Sequence, residues 1–300
     1  MTAPKSGIVL IDKKEGFTSQ AAVFKVKRCL GSRSAGHTGT LDPLATGLLV
    51  VCYGRATRVT EYLGASVKRY TAVLKVGAET DTGDITGNIV RTSQIPVSAE
   101  DVSSALADFR GKIKQVPPLY SAIWVNGRRL YEIARNGEGE TVEIPERDVE
   151  IHSLELIGSN EEAGEFTLDI RCSKGTYIRS LCRDIGIRLG CFGTMAALRR
   201  TEAGCYSVEN ALTPDEVSAR VDSGDFSFVM PIDSVFSELP IAVTDPRGEK
   251  YVRDGAPVPA GNILVSAEGR CRLYNGDSFI AVGEIVNGEF LTEKNFHEVI

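Results

Sequence analysis

The stretch 36-GHTGTLDPLATGLLVVCYGRATR-58 decides how this chain is read. It leads from a Gly/Ser loop, GSRSAGHTGT (31–40), through LDPLATG into LLVVCYG, an apolar run of strand length. Gly36, Gly39 and Gly47 permit tight turns and the close approach of a ligand, neither of which packing requires. Pro43 biases Asp42 away from helix. A loop carboxylate between Leu41 and Pro43-Leu44 suits a mostly dry cleft, where it can serve as nucleophile or base; the same spacing also fits a plain turn aspartate. No Gly-Lys-Ser/Thr follows, so the loop is not a Walker phosphate cradle.

Upstream, residues 7–12 read as a buried strand and 19–30 as a helix, capped by Thr18 or Ser19, with Ala22, Val23, Val26 and Leu30 inward and Gly31 past its end. Downstream, 55–63 reads as helix, RYTAVLKVG (69–77) as an alternating strand and TDTGDITGN (80–88) as a polar turn region. Residues 98–109 make a helix opened by a Ser98–Asp101 capping box. Asn126-Gly127 marks a tight turn before the helix RRLYEIAR. Two alternating strands follow, RDVEIHSLELI and EFTLDIRCS, and then a helix from near Thr176 to Gly190. From about 238 the helical pattern stops. Short strands between Asp-Pro, Pro and Asn-Gly turns predict a small all-β domain, with a boundary near 235–240.

Two other segments carry side chains suited to chemistry. In KGTYIRSLCRD (174–184), Tyr177 and Arg179 open a helix, where backbone N–H groups and a guanidinium favour anions. In KRY (68–70) an aromatic follows two cations, a pattern that suits phosphates and unstacked bases. Asp81-Thr82-Gly83 spells the aspartic-protease signature, but a polar Thr80 precedes it, the chain holds no second copy, and a turn is the better reading.

At 300 residues the chain favours two domains. Its 42% hydrophobic and 25% charged residues exclude a disordered, collagen-like or fibrous protein. No apolar run approaches the roughly 18 residues of a membrane span, and the first residues lack the apolar core of a signal peptide, so a cytoplasmic location is expected. Seven scattered cysteines without a CxxC pair, and three histidines far apart, argue against a disulfide framework or a structural zinc site. The net charge of −6 hides a pattern: residues 1–70, 110–136 and 171–200 carry +7, +5 and +6. If the fold brings these blocks together, they form one surface for phosphates.

Taken together and in order, the segments resemble the TruB-type tRNA pseudouridine-55 synthase family. IDKKEGFTS (11–19) is similar to its first motif, and GHTGTLDPLATGLLVVCYGRATR to the second. KRY, TDTGDITG, PPLYSAIWVNGRRLYEIAR, CSKGTYIRSLCRDIG and the LRR at 198–200 follow in family order. The likeness covers about residues 7–235; the tail resembles, more loosely, the family's PUA-type domain. One departure is visible: Lys14 stands where the family usually has a proline, which bears on the rigidity of that turn.

The resemblance implies a mixed α+β fold. A largely antiparallel central sheet flanked by helices would form a catalytic domain over 1–237, followed by a small all-β PUA-like domain over 238–300. It implies isomerisation of a T-loop uridine of tRNA without cofactor or metal. Asp42 matches the catalytic aspartate, Arg179 its partner, and Tyr70 the residue that stacks on the base and is placed to take the C5 proton. Tyr177 and Leu198 match the lining of the uracil pocket, and His37 the residue inserted where the extruded nucleotides leave the stack. Lys13 and Gly39 fall in the substrate-binding set. The expected partner is the tRNA T-arm, with no membrane and a monomer by default. Arg270 and Arg272 are offered toward the acceptor arm. A related synthase would use the same aspartate on a different RNA, and an RNA chaperone would bind and refold tRNA without catalysis.

Overall fold

The computed structural model describes residues 3–125, 127–138 and 142–296. Strands β1 (Gly7–Lys13), β2 (Ala35–His37), β3 (Thr46–Tyr53) and β4 (Lys68–Val76) precede a small hairpin, β5 (Ala78–Thr80) with β6 (Ile89–Thr92). Then come β7 (Gly111–Gln115), a two-residue pair β8 (Trp124–Val125) and β9 (Arg128–Arg129), β10 (Arg147–Asn160), β11 (Glu165–Cys172), β12 (Gly193–Ala203) and β13 (Tyr206–Ser207). The main sheet is ordered β1-β3-β12-β4-β11-β10-β7, with β2 and β13 paired at its side. Every neighbouring pair is antiparallel except β3 and β12.

The apolar runs at the head of the chain become strands covered on both faces. Val9, Ile11, Leu49, Val51 and Tyr53 enter one core, while Ile8, Leu10, Leu48, Val50 and Cys52 enter a second on the opposite side. Side chains alternate along a strand, so a run without polar interruption needs two apolar faces to meet. Five of the seven cysteines are buried, and all are free thiols.

Helices α1 (Ser19–Cys29), α2 (Thr60–Gly64), α3 (Ala99–Ala105), α4 (Leu130–Arg135), α5 (Ile178–Arg188) and α6 (Pro214–Asp222) flank this sheet. Thr18 caps α1 through the amide of Ala21, and the Ser98–Asp101 capping box opens α3 as its sequence predicts. The helix expected over 55–63 divides into a 3₁₀ segment, Gly54–Val59, and the short α2. Asn126 of the expected tight turn lies outside the described residues.

The last part of the chain forms a five-stranded sheet. Its strands β14 (Ile241–Thr244), β15 (Ile263–Val265), β16 (Gly269–Asn275), β17 (Ser278–Val286) and β18 (Glu289–Asn295) are ordered β15-β14-β16-β17-β18. It is not all-β. Helix α7 (Pro246–Asp254) crosses it, with Asp245 accepting the Gly248 amide and Pro246 in the first turn. The Asp-Pro pair that suggests a turn is here an N-cap followed by N1 proline, which starts a helix. Phe279 and Phe296 stack at 5.2 Å and meet Phe236, which packs edge-on against Tyr62. Phe296 and Val282 thereby share the second core with Ile8 and Leu10. Of the two arginines offered toward the acceptor arm, Arg270 pairs with Glu293 and Arg272 donates to the Leu239 carbonyl.

Candidate active site

Asp42 sits in the loop entering β3, and the loop is fastened on both sides. The Ser19 hydroxyl, buried at the start of α1, donates to the Leu41 carbonyl at 2.9 Å and accepts the Leu41 amide at 2.8 Å. The Gly16 amide donates to the Pro43 carbonyl at 2.9 Å, and the Ala45 amide closes a turn onto the Asp42 carbonyl at 3.0 Å. Lys13 completes the clamp: its ammonium donates to the carbonyls of Phe17, Lys14 and Pro43 at 2.7, 3.1 and 3.2 Å. The sequence places Lys13 in the substrate-binding set, but its side chain is fully enclosed and all three of its protons are committed to backbone. It fastens the loop. At position 14 the lysine in place of proline reaches Asp215 of α6 at 3.7 Å, a carboxylate that Lys25 of α1 also holds.

Burial lowers the Lys13 amine from an ordinary 10.5 to about 8, against the pull of Asp42 and Glu15. Once neutral, the amine has two N–H donors for three carbonyls. Between about pH 8 and 10.5 the unfolded chain binds more protons at this group than the folded one, so its contribution to stability rises with pH. We expect activity to fall with an inflection near pH 8 while the melting temperature shows no matching loss. Rate–pH profiles check this, and the inflection should be absent in Lys13→Met.

Across from the loop, Arg179 in the first turn of α5 meets the Asp42 carboxylate, Nε to Oδ2, at 2.9 Å. Its side chain is 6% exposed and that of Asp42 34%, so the pair is rooted in protein with its carboxylate facing the opening. The other two guanidinium nitrogens donate to the carbonyls of Thr82 at 2.9 Å and Tyr120 at 3.0 Å. The polar turn region is therefore a buttress. Asp84 accepts from the Thr82 hydroxyl and from the amide and hydroxyl of Thr86, Gly83 takes a positive φ of 76°, and the Thr82 carbonyl is held toward Arg179.

Tyr70 lies in mid β4, with Ile170 and Arg200 as its cross-strand neighbours. Burial raises its pKa and the nearby Arg200 guanidinium works against that rise, so the phenol is protonated at neutral pH. Tyr177 is the N-cap residue of α5, and its amide and carbonyl are both tied to the buried Gln115 side chain, at 2.8 and 3.0 Å. Its ring packs on Ile123, Leu130 and Ile133, and burial raises its pKa. Leu198, on β12, belongs to the same core as Leu41, against which Tyr70 and Leu44 pack.

His37 stands on β2 opposite Val51. Burial, then the Arg200 charge, lowers its pKa, and its buried Nδ1 has no hydrogen-bond partner among the described residues. Gly39 contributes its carbonyl, which accepts from Arg200 at 3.0 Å. Arg200 is the functional side chain that the sequence reading leaves out. It is buried, and it ties Gly39 and, at 2.7 Å, the Leu48 carbonyl to β12. Its backbone faces Gly47, whose φ of 93° and whose closeness to the Arg200 carbonyl leave no room for a Cβ. The LRR triplet beside an invited close approach at Gly47 was the available signal.

The basic blocks do converge. The first and third meet at Asp42–Arg179 and at the cross-strand pair Arg69–Arg171; the second joins through the Tyr120 and Val116 carbonyls, which accept from Arg179 and Arg183. Several of these cations are already neutralised, Arg69 by Asp169 and Glu202 and Arg199 by Asp12. Arg171 and Lys174 stay exposed, with no carboxylate partner among the described residues.

The mixed sheet thus presents a loop carboxylate to a guanidinium, with Tyr70 and Tyr177 near enough for their hydroxyls to feel that carboxylate. The model of the TruB family pseudouridylate synthase N-terminal domain matches residues 27–178, and that of the tRNA pseudouridylate synthase B C-terminal domain matches 179–237. Named relatives are similar over nearly the whole length. The tRNA pseudouridine synthase B of Francisella philomiragia is 39% identical, covering 98% of this chain and 96% of its own. That of Pseudomonas fluorescens is 42% identical, covering 93% and 92%. Among solved structures, an archaeal box H/ACA sRNP Nop10-Cbf5 complex shares the fold at a TM-score of 0.70 and 22% identity, covering 98% of this chain and 87% of that one. The chain belongs to the TruB family of pseudouridylate synthases.

Proposed function

We propose that the protein converts a uridine in the T-loop of tRNA, position 55, into pseudouridine. It would act as a cytoplasmic monomer, with residues 1–237 as the catalytic domain and 238–300 as a PUA-like module. The observation that carries this reading is the Asp42–Arg179 pair, which holds a partly exposed carboxylate near enough to Tyr70 and Tyr177 for their hydroxyls to feel it. The 37–42% identical relatives named as acting on tRNA support the substrate class.

The uridine leaves its stack at a cost of a few kcal/mol, and stacking on Tyr70, worth about 1–3 kcal/mol, offsets part of it. His37 occupies the space the extruded nucleotides vacate, and Tyr177 and Leu198 flank the base. Asp42 opens the reaction at the sugar, by attack or by removing a sugar proton, and Arg179 keeps its carboxylate aimed. The N1–C1′ bond breaks and the uracil turns; C5 then bonds to C1′ as the Asp42–C1′ ester bond breaks or, on the other route, as Asp42 returns the sugar proton to the glycal, and the C5 proton is lost while N1 gains one from solvent. Tyr70 must give up its own proton before it can accept that of C5, and Arg200 is the charge that favours the phenolate. The isomerisation is redox-neutral, and its net change is the loss of the C5 proton and the gain of one at N1.

The test is tritium release from an unmodified tRNA transcript labelled at C5 of uridine. About one equivalent per tRNA is expected, and none when the T-loop uridine is replaced. Undiminished release from the replaced transcript would move the site elsewhere.

A further inference from the structure

Trp124 is the only tryptophan of the chain. It is 60% exposed on β8 and belongs to none of the hydrophobic clusters. The Arg129 guanidinium lies over its ring, 4.4 Å from the centroid, and is kept there by donation to the Ala122 carbonyl. The segment is fixed from below. The Leu130 amide donates to Ile123 at 2.8 Å, the Tyr131 amide donates to Ser121 at 3.1 Å, and the Tyr120 carbonyl is bound to Arg179. Trp124 lies four residues beyond Tyr120, so the backbone between them spans at most about 14 Å. Residues 110–136 carry six cations and one acid.

A large ring left in water, backed by a guanidinium and set in a basic segment, matches how proteins bind unpaired nucleobases: every base offers a π-face, and the charge meets the adjoining phosphates. We propose that Trp124 is a stacking platform for an unpaired base of the substrate RNA other than the target uridine. Arg129 closes the inner face of the ring, and the base takes the outer one. The proposal rests on the RNA reading given under Proposed function.

Because Trp124 is the sole tryptophan, emission excited beyond the tyrosine absorption band reports on this ring alone. Titration with unmodified tRNA transcript should quench it at least twofold, saturating at the same Kd that filter binding gives. Trp124→Ala should weaken filter-measured affinity, and raise KM in tritium release, about tenfold. Trp124→Phe, which keeps a π-face, should stay within about threefold of the wild type. Tight filter binding with unchanged emission, or an alanine variant that binds within twofold of the wild type, overturns the platform and leaves the enzyme reading intact. No binding of tRNA by the wild type overturns the tRNA reading and the platform with it.

Discussion

Asp42→Asn is expected to abolish tritium release, by about 10⁴-fold or more, while leaving the fold and tRNA affinity in place. The amide is isosteric with the carboxylate, and its Oδ1 still accepts from Arg179 Nε. The backbone fasteners at Leu41, Pro43 and Ala45 do not involve the side chain, so the loop keeps its shape. What disappears is the carboxylate proposed to attack the sugar or take its proton. Stability should change by no more than about 1–2 kcal/mol, because the Arg179 guanidinium keeps its bonds to Thr82 and Tyr120. Thermal melting, filter binding and tritium release measured on one preparation distinguish the outcomes. Turnover within tenfold of the wild type would take Asp42 out of the reaction.

The parts of this site that sequence exposes are those in which a residue type is unusual for its local structure. Asp42 before a proline amid glycines, and Ser98 three residues ahead of Asp101, are patterns that packing alone does not call for, and both are legible. The two-sided burial of β1 and β3 is legible for the same reason, since uninterrupted apolar runs must be covered on both faces. What escapes is whatever depends on a backbone carbonyl. Thr82 and Tyr120 hold Arg179 through main-chain oxygens that any residue would supply, from positions 97 and 59 residues away. The enclosure of Lys13 is hidden likewise, because its three acceptors are carbonyls. Helix α7 escapes for a different reason: Asp-Pro is both a turn signal and a helix start, and only the residues packed behind it decide which.

These hidden contacts show how one exception in the sheet organises the site. Where β12 runs parallel to β3, Arg199 lies beside Thr46 and Arg200 beside Gly47. That register sets the Arg200 guanidinium under Gly39 and next to Tyr70 and His37, and it brings Arg199 onto Asp12 at the end of β1. Tyr70, His37 and the strand that follows Asp42 are thus held by one short parallel contact. Because Arg200 serves several elements, a loss there is not local.

Arg179 carries that logic furthest. Arg179→Lys should lower kcat at least about 100-fold with a smaller change in KM, and Arg179→Met should do worse and melt several degrees lower. The guanidinium serves three acceptors in different directions, the Asp42 carboxylate and the carbonyls of Thr82 and Tyr120. A lysine ammonium, on a longer stem with one nitrogen, cannot span all three, so keeping the charge does not keep the geometry. If the ammonium stays with Asp42, the Thr82 and Tyr120 carbonyls lose their partner at about 1–3 kcal/mol each. If it serves them instead, the carboxylate swings free of its line to the sugar, which costs rate rather than affinity. The methionine variant leaves all three unpaired, and removing one partner of a largely buried pair costs about 3–5 kcal/mol. Urea melts and single-turnover tritium release read the two effects separately. A lysine variant that turns over within a few-fold of the wild type would show that charge at this position suffices and that the fork of hydrogen bonds to Thr82 and Tyr120 is scaffolding without a part in catalysis.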